Sequence, residues 1–258
     1  VAVEWHFVLS GLLVGVVVGL TGVGGGSLMT PLLVMLFGIS PATAVGTDLL
    51  YAGITKAAGS TFQSWQQRVH WRIAGLLALG SIPASVLTAR VLSRFALNSA
   101  SGTRFLTVAL ALALLFTAAA LMLRGRVRLP PRLTAASLGP RTLALTTVAV
   151  GVLLGVFVTL TSVGSGALGT VALCVLYPRL PTAAVIGTEI AHAVPLTLVA
   201  GLGHLAFGSV DFGLLGNLLA GSIPGVLIGS LLGGRAAEHH LRYALSLVLT
   251  LVSIKLLW

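Results

Sequence analysis

The stretch from Thr21 to Thr47, TGVGGGSLMTPLLVMLFGISPATAVGT, returns in the second half of the chain as TSVGSGALGTVALCVLYPRLPTAAVIGT, Thr161 to Thr188. Thr21 falls on Thr161, Gly24 on Gly164, Gly26 on Gly166 and Pro41 on Pro181. One extra residue, Ile186, then shifts the frame. Thr47-Asp48 meets Thr188-Glu189, and Gly80-Ser81-Ile82-Pro83 meets Gly221-Ser222-Ile223-Pro224. The chain is one unit written twice, so its fold has to serve two similar halves. Each copy breaks an apolar run with a glycine cluster and then sets a carboxylate inside the next apolar run.

The solvent for which this pattern is written follows from composition. The chain is 57% hydrophobic and 8% charged, against roughly 25% charged for soluble domains. Its mean hydropathy is +1.07. Apolar runs of about 20 residues, the length a hydrocarbon slab roughly 30 Å thick requires, recur throughout. They lie at about His6 to Phe37 (split by the glycines), Ala42 to Phe62, Ile73 to Val91 and Phe105 to Leu123. In the second half they lie at Leu143 to Tyr177 (split), Ala183 to Leu205, Phe212 to Leu232 and Leu241 to Trp258. The expected fold is an all-α polytopic membrane protein. Its parts are repeat 1 over 1–123, a basic linker over 124–141 and repeat 2 over 142–258.

The formal net charge of +10 sits in short connections between spans. There it reads as a cytoplasmic retention signal and not as a nucleic-acid interface. A lone cysteine, Cys174, excludes an internal disulfide and a CxxC motif. No cofactor is expected. The first apolar run lacks a basic flank and its glycine cluster recurs, so it reads as mature structure and not as a signal peptide.

The basic residues also discriminate between topologies. If both split segments cross fully, the two sides receive eight and six Lys or Arg. If both dip in and return, ten (Arg68, Arg72, Arg124, Arg126, Arg128, Arg132, Arg141, Arg179, Arg235, Arg242) stand against four (Arg90, Arg94, Arg104, Lys255). The positive-inside rule selects the second arrangement. Each half is then a glycine-broken re-entrant segment plus about three transmembrane helices, an odd number that makes the repeats inverted. Re-entrant backbone is tolerated only where protein or water covers it, which puts the glycine clusters in the interior, near the midplane.

Matching interruptions in two halves mark the binding site of many secondary transporters. Glycine uncovers backbone amides, and a half-helix starting after the break points its positive dipole end at the gap. Thr21, Gly24, Gly25, Gly26 and Ser27 in the first half, with Gly164, Ser165 and Gly166 in the second, are therefore candidate anion-binding residues. A hinge or close helix packing is the alternative. Thr47 and Thr188 can donate hydroxyl hydrogen bonds to an oxyanion, or serve only their own helices. Asp48, Lys56, Glu189 and His192 are ionisable groups inside apolar runs, and such groups mark a pathway or a mutual pair. Lys56 lies eight residues beyond Asp48, about 80° round a helix, where it either neutralises Asp48 or meets substrate. His192 shares a helix face with Glu189; it is a candidate, like Lys56, to supply positive charge to a bound anion, and Asp48, Glu189 and His192 are candidate proton carriers. Tyr51, at the position matching His192, and His204, expected near an interface, are weaker candidates. Trp5, Trp65, Trp71 and Trp258 sit near span ends, as an interfacial belt predicts.

With GLTGVGGGSLMTPLL and AVGTD in the first half, and LTSVGSGALG, GTEIAHAVPLTLVAGLGH and VDFGLLGNLLAGSIPG in the second, the chain resembles the TauE/SafE sulfite-exporter group of permeases over nearly its whole length. The resemblance implies a bacterial inner-membrane carrier, usually an exporter, for sulfur-containing oxyanions such as sulfite or organosulfonates. The bilayer and a small sulfur-containing anion are then its partners. One departure separates the half-sites: Ser165 stands where the first cluster has Gly25. A passive anion channel of the same fold is the alternative within transport. From another class, an intramembrane aspartyl hydrolase would use Asp48 and Glu189 as its acid/base dyad, leaving the glycine clusters idle.

Overall fold

The structure is a computed structural model that describes residues 4–21, 26–65, 69–94, 99–123, 139–232 and 235–258; within these, the side chains at 21, 26–27, 58–65, 123, 232 and 235–242 are excepted. The linker residues 124–138 lie outside it. Ten helices account for almost all the described backbone. They are α1 (Trp5–Thr21), α2 (Gly26–Met35), α3 (Pro41–Trp65), α4 (Trp71–Leu92), α5 (Ala100–Leu123), α6 (Pro140–Thr161), α7 (Ala167–Leu176), α8 (Thr182–Ala206), α9 (Phe212–Leu232) and α10 (Arg235–Leu257). The two split runs become a long and a short helix each, α1–α2 and α6–α7, and every other run becomes one helix.

Helix limits follow from local chemistry. Ser40 caps α3 through its Oγ, which accepts the Thr43 amide at 3.3 Å. Pro140 opens α6 at the position where a missing N–H costs nothing. Asp211 Oδ1 accepts the Leu214 amide at 3.0 Å at the start of α9. Gly208, at φ 73°, ends α8 in the left-handed conformation a helix C-terminus favours.

Among the described residues, five helices are long and apolar enough to cross a membrane: Trp71–Leu92, Ala100–Met122, Pro140–Thr161, Thr182–Ala206 and Phe212–Leu231. Their outer faces carry exposed large apolar side chains such as Leu79, Phe105, Leu153, Leu202 and Leu231, a surface suited to lipid. This is a polytopic membrane protein. Trp5, Trp71 and Trp258 are exposed at helix ends, as an interfacial belt requires, while the Trp65 side chain lies outside the described residues. α6, with 22 residues, is about 33 Å long and could span the slab unaided, whereas α2 and α7, with 10 residues each, reach only about 15 Å.

The halves interlock through glycine. On α1, a Cβ at Gly11, Gly15 or Gly19 would come closer than 3.0 Å to backbone of Leu218, Ser222 or Val226 on α9; Gly221, Gly225 and Gly229 meet Val8, Leu12 and Val16 in return. The same contacts recur between α6 and α4, where Gly151 meets Leu77, Gly155 meets Ser81 and Gly80 meets Val148. Each of these interfaces joins one half to the other. Lipid offers helices no hydrophobic reason to associate, so close backbone approach over small residues supplies the attraction.

Order along these contacts gives helix directions. α1 and α9 run parallel, as do α4 and α6. Thr47 and Thr55 of α3 meet Asp211 and Ser222 in order, so α3 parallels α9. Ser81 and Ala89 of α4 meet His192 and Gly203, so α4 parallels α8. Gly46, Leu50 and Gly53 of α3 meet His204, Gly201 and Leu198 of α8, an antiparallel pair. Thus α1, α3 and α9 run one way and α4, α6 and α8 the other. Since α1 and α3 share a direction, the chain through α2 has to come back, and so does the chain through α7 between α6 and α8.

The twin interfaces generate a matched expectation. Gly15→Val and Gly155→Val each lower the stability of the detergent-purified protein by about 1–3 kcal/mol or more through overpacking. Gly75→Ala, on an open face of α4 with nothing within 4 Å, is neutral or gains up to about 1 kcal/mol. Thermal denaturation distinguishes them, and a harmless Gly155→Val would contradict the packing.

Candidate functional site

α6 stops at Thr161 and α7 starts at Ala167, and every residue from 161 to 167 is buried. Ser162 is left-handed at φ 58°, Gly164 has φ 103° and Gly166 φ 147°. Only glycine takes the last two readily. Ser162 is the one non-glycine residue with positive φ among the described residues, the kind of local strain that concentrates at functional sites. Thr161 stabilises the turn, its Oγ1 accepting the Val163 amide at 3.2 Å. Gly166 caps α7 with no side-chain hydrogen bond, and α7 has no acidic residue in its first turn. Its amides and its positive dipole end therefore face the break with no acidic residue from α7 itself to complement them.

The charge that enters this break comes from the other half. Lys56 of α3, 4% exposed, donates from Nζ to the Ser165 carbonyl at 2.5 Å and to Ser165 Oγ at 2.7 Å. Glu189 and Asp48 both lie near enough to act on it electrostatically. Among the described residues no ion pair joins Lys56 to Asp48. Instead, Asp48 Oδ2 accepts from the Thr30 hydroxyl of α2, and the buried Ser162 hydroxyl lies beside the same carboxylate. Glu189 lies against α7, where a Cβ at Gly169 would sit 2.8 Å from its Cγ. The glycine makes room for the longer carboxylate.

His192 turns to a third neighbour, pairing through Nε2 with Ser81 Oγ at 2.9 Å, with its buried Nδ1 unpartnered. Tyr51, its counterpart, is fully buried with Ser222, the counterpart of Ser81, beside its hydroxyl. Thr47 and Thr188 hold matching joints. Thr47 Oγ1 accepts the Asp211 amide at 3.0 Å ahead of α9, and Thr188 Oγ1 accepts the His70 amide at 2.9 Å ahead of α4. These threonines tie the halves together there.

Of the first break, Gly24 and Gly25 lie outside the described residues, as do the side chains of Thr21 and Ser27; Gly26 begins α2. The sequence passed over Thr30, Ser81 and Ser162, which supply hydroxyls around the charged groups. Thr30 did carry a signal, since it recurs as Thr170 in the second copy. His204 corrects an expectation. It is fully buried rather than interfacial, and its Nε2 pairs with the Thr159 carbonyl at 2.9 Å because α6 covers the last turn of α8.

Cavities of about 370–570 Å³ lie elsewhere, along α1, α2 and α10 and along α4, and residues 161–167 line none of these. The second break is closed, with the Lys56 ammonium inside it. Among the described residues, no three His, Cys, Asp or Glu side chains group as a metal site.

The geometry is that of an enclosed helix break with an uncapped helix N-terminus and a buried cation; the glycine cluster of the break recurs in sequence in the other half, while the cation does not. The profile of the family described as Sulfite exporter TauE/SafE matches residues 7–256. The chain belongs to the TauE/SafE sulfite exporter family. It is similar to the probable membrane transporter protein YjnA of Bacillus subtilis, 39% identical over 208 residues covering 80% of each chain. It is also similar to a probable membrane transporter protein of Xylella fastidiosa strain 9a5c, 29% identical over 252 residues, 96% of this chain and 93% of the relative. YdhB of Bacillus subtilis, likewise named a probable membrane transporter protein, is 28% identical over 79% of each chain. No solved structure matches.

In this TauE/SafE protein the two threonine joints should carry equal weight. Thr47→Val and Thr188→Val each cost about 0.5–1.5 kcal/mol, one net hydrogen bond. Thr30→Val, which strips a buried carboxylate of its donor, costs about 1–3 kcal/mol. Denaturation of the purified variants measures this, and a Thr30→Val protein as stable as wild type would contradict the Asp48 contact.

Proposed function

We propose that this protein is a secondary transporter of sulfur-containing oxyanions such as sulfite or organosulfonates, acting as an exporter across the bacterial inner membrane by alternating access. The observation that carries the reading is Lys56 of one half standing in the helix break of the other, beside an uncapped helix N-terminus and the buried Ser162 hydroxyl. An anion there would meet a full positive charge, the α7 amides and Ser162 Oγ in surroundings where Coulomb energies are several times those in water. The family's name points to the same class of substrate.

Alternating access asks for two similar bodies around one site. Two inverted repeats, 1–123 and 142–258, are supported by the opposed directions of α1 and α6, α3 and α8, and α4 and α9, which stand at matching positions in the halves. The return of the chain at α2 and at α7 supports a re-entrant segment in each half. Arg72, Arg141 and Arg179 gather where α4, α6 and α8 begin. With the basic residues of 124–141, that end is the cytoplasmic one by the positive-inside rule.

Asp48 and Glu189 balance Lys56 and couple the cycle. His192, held by Ser81, stands beside them, and Thr47 and Thr188 move with the joints they tie. The closed second break is the occluded state that a carrier passes through, and that a passive channel does not need.

A thermal-shift panel of sulfite, sulfate, taurine, sulfoacetate and thiosulfate on detergent-purified protein tests the reading. At least one sulfur oxyanion should raise the melting temperature, and Lys56→Met should weaken that anion's binding about tenfold or more, the worth of one charge-assisted contact. Unchanged binding in Lys56→Met would remove Lys56 from the site. In liposomes, the carrier responds to an imposed pH gradient and a passive channel does not.

A further inference from the structure

Carriers built on broken helices commonly hold a coupling sodium ion with the carbonyl oxygens that unwinding exposes. The second break of this protein presents such a ligand set. The Ser165 carbonyl and the Ser165 hydroxyl converge on one point at 2.5 Å and 2.7 Å. Two buried carboxylates, Asp48 and Glu189, add their negative field to that point from beyond ion-pair distance. His192, from the same face of α8, is the remaining titratable group with Lys56 in its field. Yet the point is filled by a side chain from α3. Among the described residues, Lys56 is the only buried Lys or Arg.

The arrangement is confined to one half. Where the second cluster has Ser165 the first has Gly25, and where α3 has Lys56 its counterpart on α8 is Thr197. Thr197 donates to its own helix, to the Ala193 carbonyl at 2.8 Å. The hydroxyl ligand and the ammonium it binds therefore occur together in one half-site and are both missing from the other. A lysine kept only to join the halves would have no need of a hydroxyl at the partner break.

We propose that Lys56 is a tethered coupling cation: its ammonium occupies, at the second helix break, a site built for a monovalent cation such as sodium, and so makes anion movement independent of sodium. This rests on the carrier reading for its effect on flux but not for the site itself. Shortening the lysine should vacate a position whose oxygen ligands and carboxylates remain, and a free small cation should then enter. A methionine fills the same space without charge and should bar it.

Two measurements on the full-length protein test this. In detergent, at constant ionic strength, melting temperatures are compared in choline, sodium, potassium and ethylammonium chloride. Wild type should melt alike in all four. Lys56→Ala should melt lower in choline and recover in a saturable way with sodium or ethylammonium, while Lys56→Met should not recover. In proteoliposomes, wild-type sulfite flux should be equal in sodium and choline, and Lys56→Ala flux should fall about tenfold or more and rise again with the rescuing cation.

A Lys56→Ala protein whose melting ignores the cation would overturn the site. Wild-type flux that requires sodium would overturn it too, and that arm decides even if Lys56→Ala does not fold. Absence of sulfite flux under every condition counts against the carrier reading, and the melting data then judge the cation site by themselves.

Discussion

A peptide group inside hydrocarbon has to find its hydrogen-bond partner within the protein, and this chain breaks two of its helices regardless. Much of the architecture answers that constraint. The stretch from Thr161 to Ala167 leaves no residue exposed: Val163 and Ala167 pack against α5 and α10, and Lys56 of α3 takes up the Ser165 carbonyl. Enclosure of that kind needs helices that approach closely, and the glycines of α1, α4, α6 and α9 allow it. The same residues that make the chain look compositionally simple thus make room for an irregular, polar centre.

Each half is completed by the other. α1 packs on α9 and α6 on α4 through matching glycine contacts, and the threonine of each Gly-Thr pair, Thr47 or Thr188, ties down the joint that precedes a helix of the opposite half. Within that framework the chemistry is unequal. Asp48 is held by Thr30, while Glu189, one methylene longer, rests over Gly169. Tyr51 and His192 stand at one position of the repeat with different capacities to carry charge. A buried, hydrogen-bonded lysine on one side only gives the centre a polarity that a perfectly duplicated chain would lack. Such a charge is costly to bury unless it is paired and hydrogen-bonded; two bonds to Ser165 and the field of Glu189 and Asp48 offset part of that cost.

Much of this could be read from the chain. Repetition of GVGGG and SVGSG at matching places located the interruptions of the two split runs, and the helices α3, α4, α8 and α9 begin and end within a few residues of the apolar runs that announce them. Asp48, Lys56, Glu189 and His192 declared themselves by being ionisable where little else is. Their partners did not. That Lys56 would choose Ser165 over Asp48, or His192 choose Ser81 over Glu189, depends on how α3, α4 and α8 pass one another, which periodicity does not encode. His204 shows the same limit from the other direction. Near the end of a helix a histidine reads as interfacial, and only the path of α6, bringing the Thr159 carbonyl over it, makes it a core residue.

The central claim is that an oxyanion is held where α7 begins, beside the Lys56 ammonium. Selenite has the shape and charge of sulfite and scatters X-rays anomalously, so a crystal of the protein grown with selenite would locate the anion directly. The account predicts an anomalous peak with oxygens at hydrogen-bond distance, about 2.7–3.2 Å, from Lys56 Nζ, the first amides of α7 and Ser162 Oγ. A peak only at the membrane surface, among the exposed arginines, with Lys56 still closed on Ser165, would contradict it.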